Sequence, residues 1–267
     1  MGLSEIVIVS MVSLVAVSLF NREYHFLPLA PWVLVATCAI LLGAFFVRSL
    51  TGFGGAILAM PLLSLFFSLQ YIVPVEAILE VVLSLTLLPR VFRHIDWDSL
   101  RYVIVGALGG SLAGVQLLQS LNDGTLKLIL GIVIIVVALG IFLCSPNARS
   151  VASTWGLPAG IIGGVLGGMF GTSGPAYVVF FTLRCPDKQI FRATLIAVFA
   201  IEYGFRLALF ANRGMLDVTQ LELAAWFVPV VIIAAVAGQV AHLHIGERLF
   251  QLVVAGLLFI AGATCLL

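Results

Sequence analysis

Apolar stretches of about twenty residues recur along the whole chain and constrain its fold more than any other feature. A helix of about that length crosses the hydrocarbon core of a bilayer. Hydrophobic residues make up 62% of the 267 residues and charged residues 9%, whereas soluble domains carry about 25% charged residues. The sequence therefore predicts an all-α polytopic protein of the cell (inner) membrane. The net charge of +1 gives no electrostatic reason to expect a nucleic-acid partner.

Two of the apolar stretches are interrupted by short clusters rich in glycine and hydroxyl residues. The first cluster covers residues 48–55 and the second residues 167–175. The apolar pieces that follow, 56–69 and 175–183, are too short to span a membrane. Unwound backbone at membrane depth is tolerated only where protein or a cavity satisfies its amides and carbonyls. Two such breaks in corresponding halves indicate a transporter binding site.

The order of these features repeats along the chain. Residues 31–144 and 154–267 each contain one broken helical hairpin followed by three full-length apolar segments, with residues 145–153 as the linker. Residues 1–30 add an N-terminal transmembrane helix and a loop. Corresponding positions lie 119, 121 and 124 residues apart, namely Gly52 and Gly171, Asp96 and Asp217, and Gly114 and Gly238.

The charges of the loops predict opposite orientations for the two repeats. In the first half the basic loop is 90–101, but its counterpart at 213–222 is acidic on balance. Conversely, the link at 70–73 is uncharged and its counterpart at 184–192 is basic. Basic loops are cytoplasmic, so we expect inverted repeats whose re-entrant hairpins enter from outside and from inside, respectively. Two short tilted spans in place of each hairpin are the alternative.

The breaks themselves are the first candidates for substrate binding. Glycine permits positive φ and close backbone approach, and the helices that resume after each break offer unpaired N–H groups to an anion. Hydroxyl side chains in the clusters add further donors. The substrate-binding candidates in the breaks are Ser49, Thr51, Gly52, Gly54, Gly55, Gly171, Thr172, Ser173 and Gly174. The alternative for such glycines is close helix packing, which is common in membranes.

Charged residues inside apolar segments are the second group of candidates. Such residues usually face a cavity or a partner. Arg48 and Arg206 are expected to balance the charge of a bound anion, although Arg48 at an interface and a neutralising Glu202–Arg206 pair are alternatives. Glu80 and Glu202 are candidates for proton coupling, because an apolar environment favours a neutral carboxyl. No partner for Glu80 is evident on its own segment, and no cofactor or metal site is expected.

The two breaks with their flanks resemble the TauE/SafE family of sulfite exporters, also called the TSUP family of anion permeases. The resemblance rests on residues 51–63 (TGFGGAILAMPLL) and 164–175 (GVLGGMFGTSGP), and the layout agrees from about residue 31 onward. The chain departs from the family pattern at Thr172-Ser173, where more glycine is usual, and at Phe180, which corresponds to Pro61. Residues 3–20 lie outside the two repeats.

Membership would imply transport of sulfite or a related sulfur-containing anion, such as a sulfonate or thiosulfate. The sequence thus predicts a secondary transporter, not an enzyme, that works by alternating access with proton coupling as an option. Its partners are a small anion and the lipid bilayer, and homo-oligomerisation is left open. An anion channel or a membrane scaffold without transport activity is the alternative.

Overall fold

The computed structural model describes residues 31–143, 151–185 and 187–241, and the helices expected at 3–20 and 249–267 lie outside these ranges. Within them the regular structure is helical. The α-helices are α1 (Pro31–Thr51), α2 (Gly55–Leu63), α3 (Leu69–Val91), α4 (Trp97–Ser120), α5 (Asp123–Leu143), α6 (Gly156–Phe170), α7 (Gly174–Arg184), α8 (Lys188–Asn212) and α9 (Val218–Ala241). Short 3₁₀ turns precede α4 and α6, at Phe92–His94 and Ser153–Trp155.

Five helices in the described part of the chain are long and apolar enough to cross a bilayer. They cover Pro31–Thr51, Leu69–Pro89, Trp97–Ser120, Gln189–Asn212 and Val218–Gly238. Their outward faces carry large apolar side chains, for example Val105 and Ile233. Contact of such faces with water would be unfavourable. The prediction of an all-helical polytopic membrane protein is confirmed at this level.

Both predicted breaks interrupt the helices. The first separates α1 from α2, a helix of 9 residues, and the second separates α6 from α7, a helix of 11 residues. Gly54 before α2 and Gly171 after α6 have φ of 93° and 73°, a left-handed conformation that favours glycine. The chain therefore uses glycine at the breaks for its backbone freedom.

The start of α3 differs from the sequence-based expectation. The prediction let the short apolar piece continue to residue 69 and began the next helix at Pro74, but α2 ends at Leu63 and α3 begins at Leu69. The Leu69 N–H donates to Asp123 Oδ1 over 2.8 Å, so a side chain 54 residues away caps this helix. A cap from such a distance leaves no local sequence signal.

In the first broken hairpin the two ends contact each other, and in the second both ends contact the start of α4. At the first hairpin, the Trp32 ring at the start of α1 packs edge-on against Phe66, which follows α2, with centroids 5.7 Å apart. At the second hairpin, Ser153 before α6 bonds to Asp98. Arg184 at the end of α7 donates to Ser99 Oγ over 3.2 Å. These contacts bring the two ends of each hairpin close together.

Glycines on α4 and α6 form the closest helix–helix contact in the described part of the chain. A Cβ atom on Gly110 would overlap the carbonyl of Ile161, and one on Gly164 would overlap the carbonyl of Ala107. The glycines of this contact are Gly106, Gly110, Gly114, Gly160, Gly164 and Gly168. Small residues let membrane helices approach until their backbones touch, so these glycines serve packing.

We expect Gly110→Ala to separate α4 from α6 and to lower the free energy of unfolding by about 1–3 kcal/mol, the usual cost of overpacking. Gly109→Ala is the matched control, because a Cβ atom there has nothing within 4 Å. Chemical unfolding of both variants in one detergent measures the difference. Equal stability of the two variants would contradict the packing role.

Candidate functional site

The two breaks meet at a small cavity inside the bundle. Its volume is about 10 Å³, enough for roughly one water molecule. Its lining combines residues of both breaks with side chains of α1, α3 and α8, and includes Arg48, Gly54, Gly55, Glu80, Gly171, Thr172, Gly174, Phe199 and Tyr203. The structure therefore brings together most of the predicted candidates, although these lie more than a hundred residues apart in sequence.

Arg48 is held beside the first break by a buried ion pair. Its Nε lies 3.1 and 3.2 Å from the two carboxylate oxygens of Glu80, and its Nη1 donates to the carbonyl of Gly52. The guanidinium also lies over the Phe199 ring, 4.5 Å from its centroid. An interfacial position for Arg48 is excluded, because the residue is only 1% exposed.

Glu80 has no partner on its own segment, as expected, but it pairs with a residue of another helix. Its partner Arg48 belongs to another helix and precedes it by 32 residues. Inspection of the apolar segment that contains Glu80 could not reveal such a pair.

Arg206 stands in a similar relation to the second break. Its Nε lies 3.6 Å from Glu202 Oε1, one turn away on α8, as the spacing of four residues predicts. Its Nη1 donates to the carbonyl of Gly167 near the end of α6. Its guanidinium lies 3.9 Å from the centroid of the Tyr203 ring. Each buried arginine thus donates to a carbonyl at a break, pairs with a glutamate and lies over an aromatic ring.

Hydroxyl groups of the two breaks are used differently. In the first break, Ser49 Oγ donates to the Ala235 carbonyl over 2.6 Å, and Thr51 Oγ1 donates to the carbonyls of Val47 and Phe53. In the second break, the hydroxyls of Thr172 and Ser173 are buried and lack a hydrogen-bond partner among the described residues. The protein itself therefore occupies the donors of the first break and leaves those of the second available.

The glycine candidates lie at left-handed turns or in close contacts. Gly52 has φ of 89°, the same left-handed conformation as Gly54. Gly55 lies so close to the ion pair that a Cβ atom there would be 3.1 Å from Glu80 Oε1. Gly174 begins α7 beneath Phe53 and Ile57, with a Cβ atom in ordinary contact distance of both.

Sequence reasoning missed Glu76, a third glutamate at this site. It lies one turn before Glu80 on α3 and is 1% exposed, and neither carboxylate oxygen has a hydrogen-bond partner within the described ranges. A Cβ atom on Gly171 would lie 2.7 Å from Glu76 Oε2. A helix that began at Pro74, as expected, would place Glu76 in its first turn, whereas α3 begins at Leu69 and Glu76 lies two turns inside.

Tyr203 and Arg192 were also missed. The Tyr203 hydroxyl donates to the Gly171 carbonyl over 2.7 Å, and so satisfies a group that the second break releases. Arg192 Nη2 donates to the Ser49 carbonyl over 2.9 Å, and its side chain lies against Gly52. The sequence assigned Arg192 to a basic loop, but it lies in the first turns of α8. Its position after Asp187, which caps that helix, was the available signal.

Carboxyl groups outnumber guanidinium groups among the buried charged side chains of the site. The fully buried charged side chains in the described part of the chain are Arg48, Glu76, Glu80, Glu202 and Arg206. Three carboxyl groups thus face two guanidinium groups, so the ionised site would carry one excess negative charge.

Comparison with known proteins supports the relationship that the breaks suggest. The pattern that defines the family described as "Sulfite exporter TauE/SafE" matches residues 35–265. A curated protein of Cupriavidus necator, named "Probable sulfite/organosulfonate exporter TauE", is 34% identical over 208 residues, which cover 74% of this chain and 80% of that protein. No solved structure matches the chain.

We expect Arg48→Met to lower the free energy of unfolding by about 3–5 kcal/mol, because the change leaves Glu80 buried without its partner. The double variant Arg48→Met/Glu80→Gln should recover most of this loss. Arg101→Met is the control, since its ion pair with Asp98 is exposed and contributes about 0–1 kcal/mol. Unfolding curves in one detergent at constant pH measure all three, and a double variant no more stable than Arg48→Met would contradict the coupling.

Proposed function

Since the chain belongs to the TauE/SafE family of sulfite exporters, we propose that it is a secondary transporter for sulfite or a related sulfur-containing anion. The anion would bind where the two breaks meet and would cross the membrane by alternating access. The observation that carries this proposal is a set of buried, unpartnered hydrogen-bond donors around the cavity.

The unpartnered donors come from both halves of the chain. Arg48 Nη2 and Thr172 Oγ1 belong to residues that line the cavity, and neither has an acceptor among the residues described. Ser173 Oγ and the Nε and Nη2 of Arg206 lack acceptors as well. Each unsatisfied buried donor costs about 1–3 kcal/mol. An oxyanion offers several acceptor oxygens and a negative charge, which strengthens each hydrogen bond.

Helix ends add to this environment. Both α2 and α7 begin at the cavity, with Gly55 and Gly174 in its lining. The first N–H groups of a helix have no intrahelical acceptor and carry a partial positive charge. These amides favour an anion and do not favour a cation, which agrees with the name of the relative.

The size of the cavity supports a site that changes shape. A volume of about 10 Å³ holds one water molecule, and a sulfite or sulfonate group is several times larger. Binding therefore requires the two breaks to separate. In an alternating-access cycle, each hairpin would move away from the other on its own side of the membrane.

The packing supports two repeats, 31–144 and 154–267, of opposite orientation. Helix α1 packs against α9 as α6 packs against α4, and α3 packs against α8. A Cβ atom on Gly238 would meet Phe46 and Ser49, and one on Gly114 would meet Val165 and Gly168. These contact residues are offset by 119 positions, as are the breaks. An exchange of the two repeats therefore reproduces the same contacts.

The loop charges orient this arrangement in the membrane. Arg93, Arg101 and Arg184 lie at the end of the bundle where the second hairpin begins and returns. We assign this end to the cytoplasm, because basic loops stay on that side. The first hairpin then enters from outside.

We expect Ser173→Ala and Thr172→Val each to weaken the apparent affinity for the transported anion about 10- to 100-fold, because a hydrogen bond to a charged group contributes about 1.5–3 kcal/mol. Thr86→Val is the matched control, since the Thr86 hydroxyl bonds within its own helix to Val82. Uptake of labelled sulfite, thiosulfate and isethionate into proteoliposomes measures the effect. Wild-type affinity in both folded variants would contradict the site, and failure of every anion to be transported by the wild type would contradict the function.

A further inference from the structure

We propose that Glu76 takes up one proton whenever the anion binds, and that its neutral carboxyl belongs to the substrate-bound form of the site. This inference rests on the proposed function and goes beyond it, because it assigns the coupled proton to a particular residue. Glu80 and Glu202, the two glutamates that sequence reasoning favoured for this role, become partners of the arginines instead.

The partners of the three glutamates separate Glu76 from the other two. Both oxygens of Glu80 lie within hydrogen-bond distance of Arg48 Nε. Glu202 has Arg206 at 3.6 Å, an ion-pair distance, although its oxygens have no hydrogen-bond partner among the described residues. Glu76 has none of these contacts, and its oxygens lack a hydrogen-bond partner throughout the described ranges. Glu76 is therefore the carboxyl group of the three whose protonation can change without breaking an ion pair with an arginine.

The surroundings of Glu76 make its protonation sensitive to a bound anion. The charged groups that face it are Glu80 on its own helix, Arg48 on α1, and Glu202 and Arg206 on α8. Among the fully buried charged groups, two glutamates balance two arginines when Glu76 is neutral. With Glu76 ionised, this buried set carries an excess negative charge before any anion enters. The anion and the proton therefore favour each other, and by linkage the effect is reciprocal.

Glu76 is also in contact with a part of the site that has to move. Its Oε2 lies directly against Gly171, whose backbone turns the chain at the second break. The Gly171 carbonyl is held by the Tyr203 hydroxyl. A change of charge on Glu76 thus acts at the hinge between α6 and α7, next to the hydroxyls of Thr172 and Ser173, which have no hydrogen-bond partner in the described part of the chain.

The decisive measurement is the number of protons taken up per anion bound. The purified full chain is titrated in unbuffered detergent solution with isethionate, whose sulfonate stays ionised across the pH range, while a pH indicator reports proton uptake. We expect about one proton per anion for the wild type, with an affinity that falls up to tenfold per pH unit at high pH. For Glu76→Gln, which keeps the neutral shape, we expect binding without proton uptake and with an affinity independent of pH.

Glu222→Gln is the control, because it removes a glutamate on α9 that lies outside the site; proton uptake should persist. Infrared difference spectra of the wild type provide a readout that needs no variant: a protonated carboxyl band should appear when isethionate binds. Anion binding without proton uptake in the wild type, or unchanged uptake in Glu76→Gln, would overturn the assignment and leave the transport proposal intact. Absence of binding and transport for every sulfur anion in the wild type would instead refute the transport proposal.

Discussion

The burial of two guanidinium groups inside an apolar helix bundle is the constraint on which the rest of the structure depends. A break in a membrane helix releases carbonyls that lipid cannot satisfy, and Arg48 and Arg206 each donate to such a carbonyl, at Gly52 and at Gly167. Each arginine in turn requires a buried carboxylate, which Glu80 and Glu202 supply. Breaks, arginines and glutamates therefore stabilise one another, and none of the three is tolerable at this depth without the other two.

The sequence predicted those features whose causes are local. Positive φ at Gly52 and Gly171, the start of α7 next to Pro175 and the Glu202–Arg206 pair all follow from neighbouring residues. Features that depend on distant contacts could not be predicted in this way. Asp123 caps α3 from 54 residues away. The helix therefore begins at Leu69, and Glu76 lies inside it and not at its first turn. The Arg48–Glu80 pair joins two helices, and the Ser49 hydroxyl is occupied by a carbonyl of α9. The folded helices, and not the spacing of the residues, decide which donors remain free.

The two breaks present different groups to the cavity between them. The first break contributes backbone amides and Arg48, whereas Thr172 and Ser173 of the second break have buried hydroxyls without partners among the described residues. Under the proposed function, an anion bound between the breaks would meet an asymmetric environment. We propose residues 172 and 173 as the positions that discriminate among sulfur anions.

The pairing of helices has a consequence for how the two halves of the chain depend on each other. The glycine contact joins α4 of the first half to α6 of the second, and α9 of the second half packs on α1 of the first. In the described part of the chain, the glycine faces of each half are covered by the other half, so neither half is a self-sufficient domain. A half synthesised alone would expose the backbone of its glycine faces to lipid. Two separately translated fragments should therefore find each other in the bilayer and restore the assembly, with no peptide bond between them.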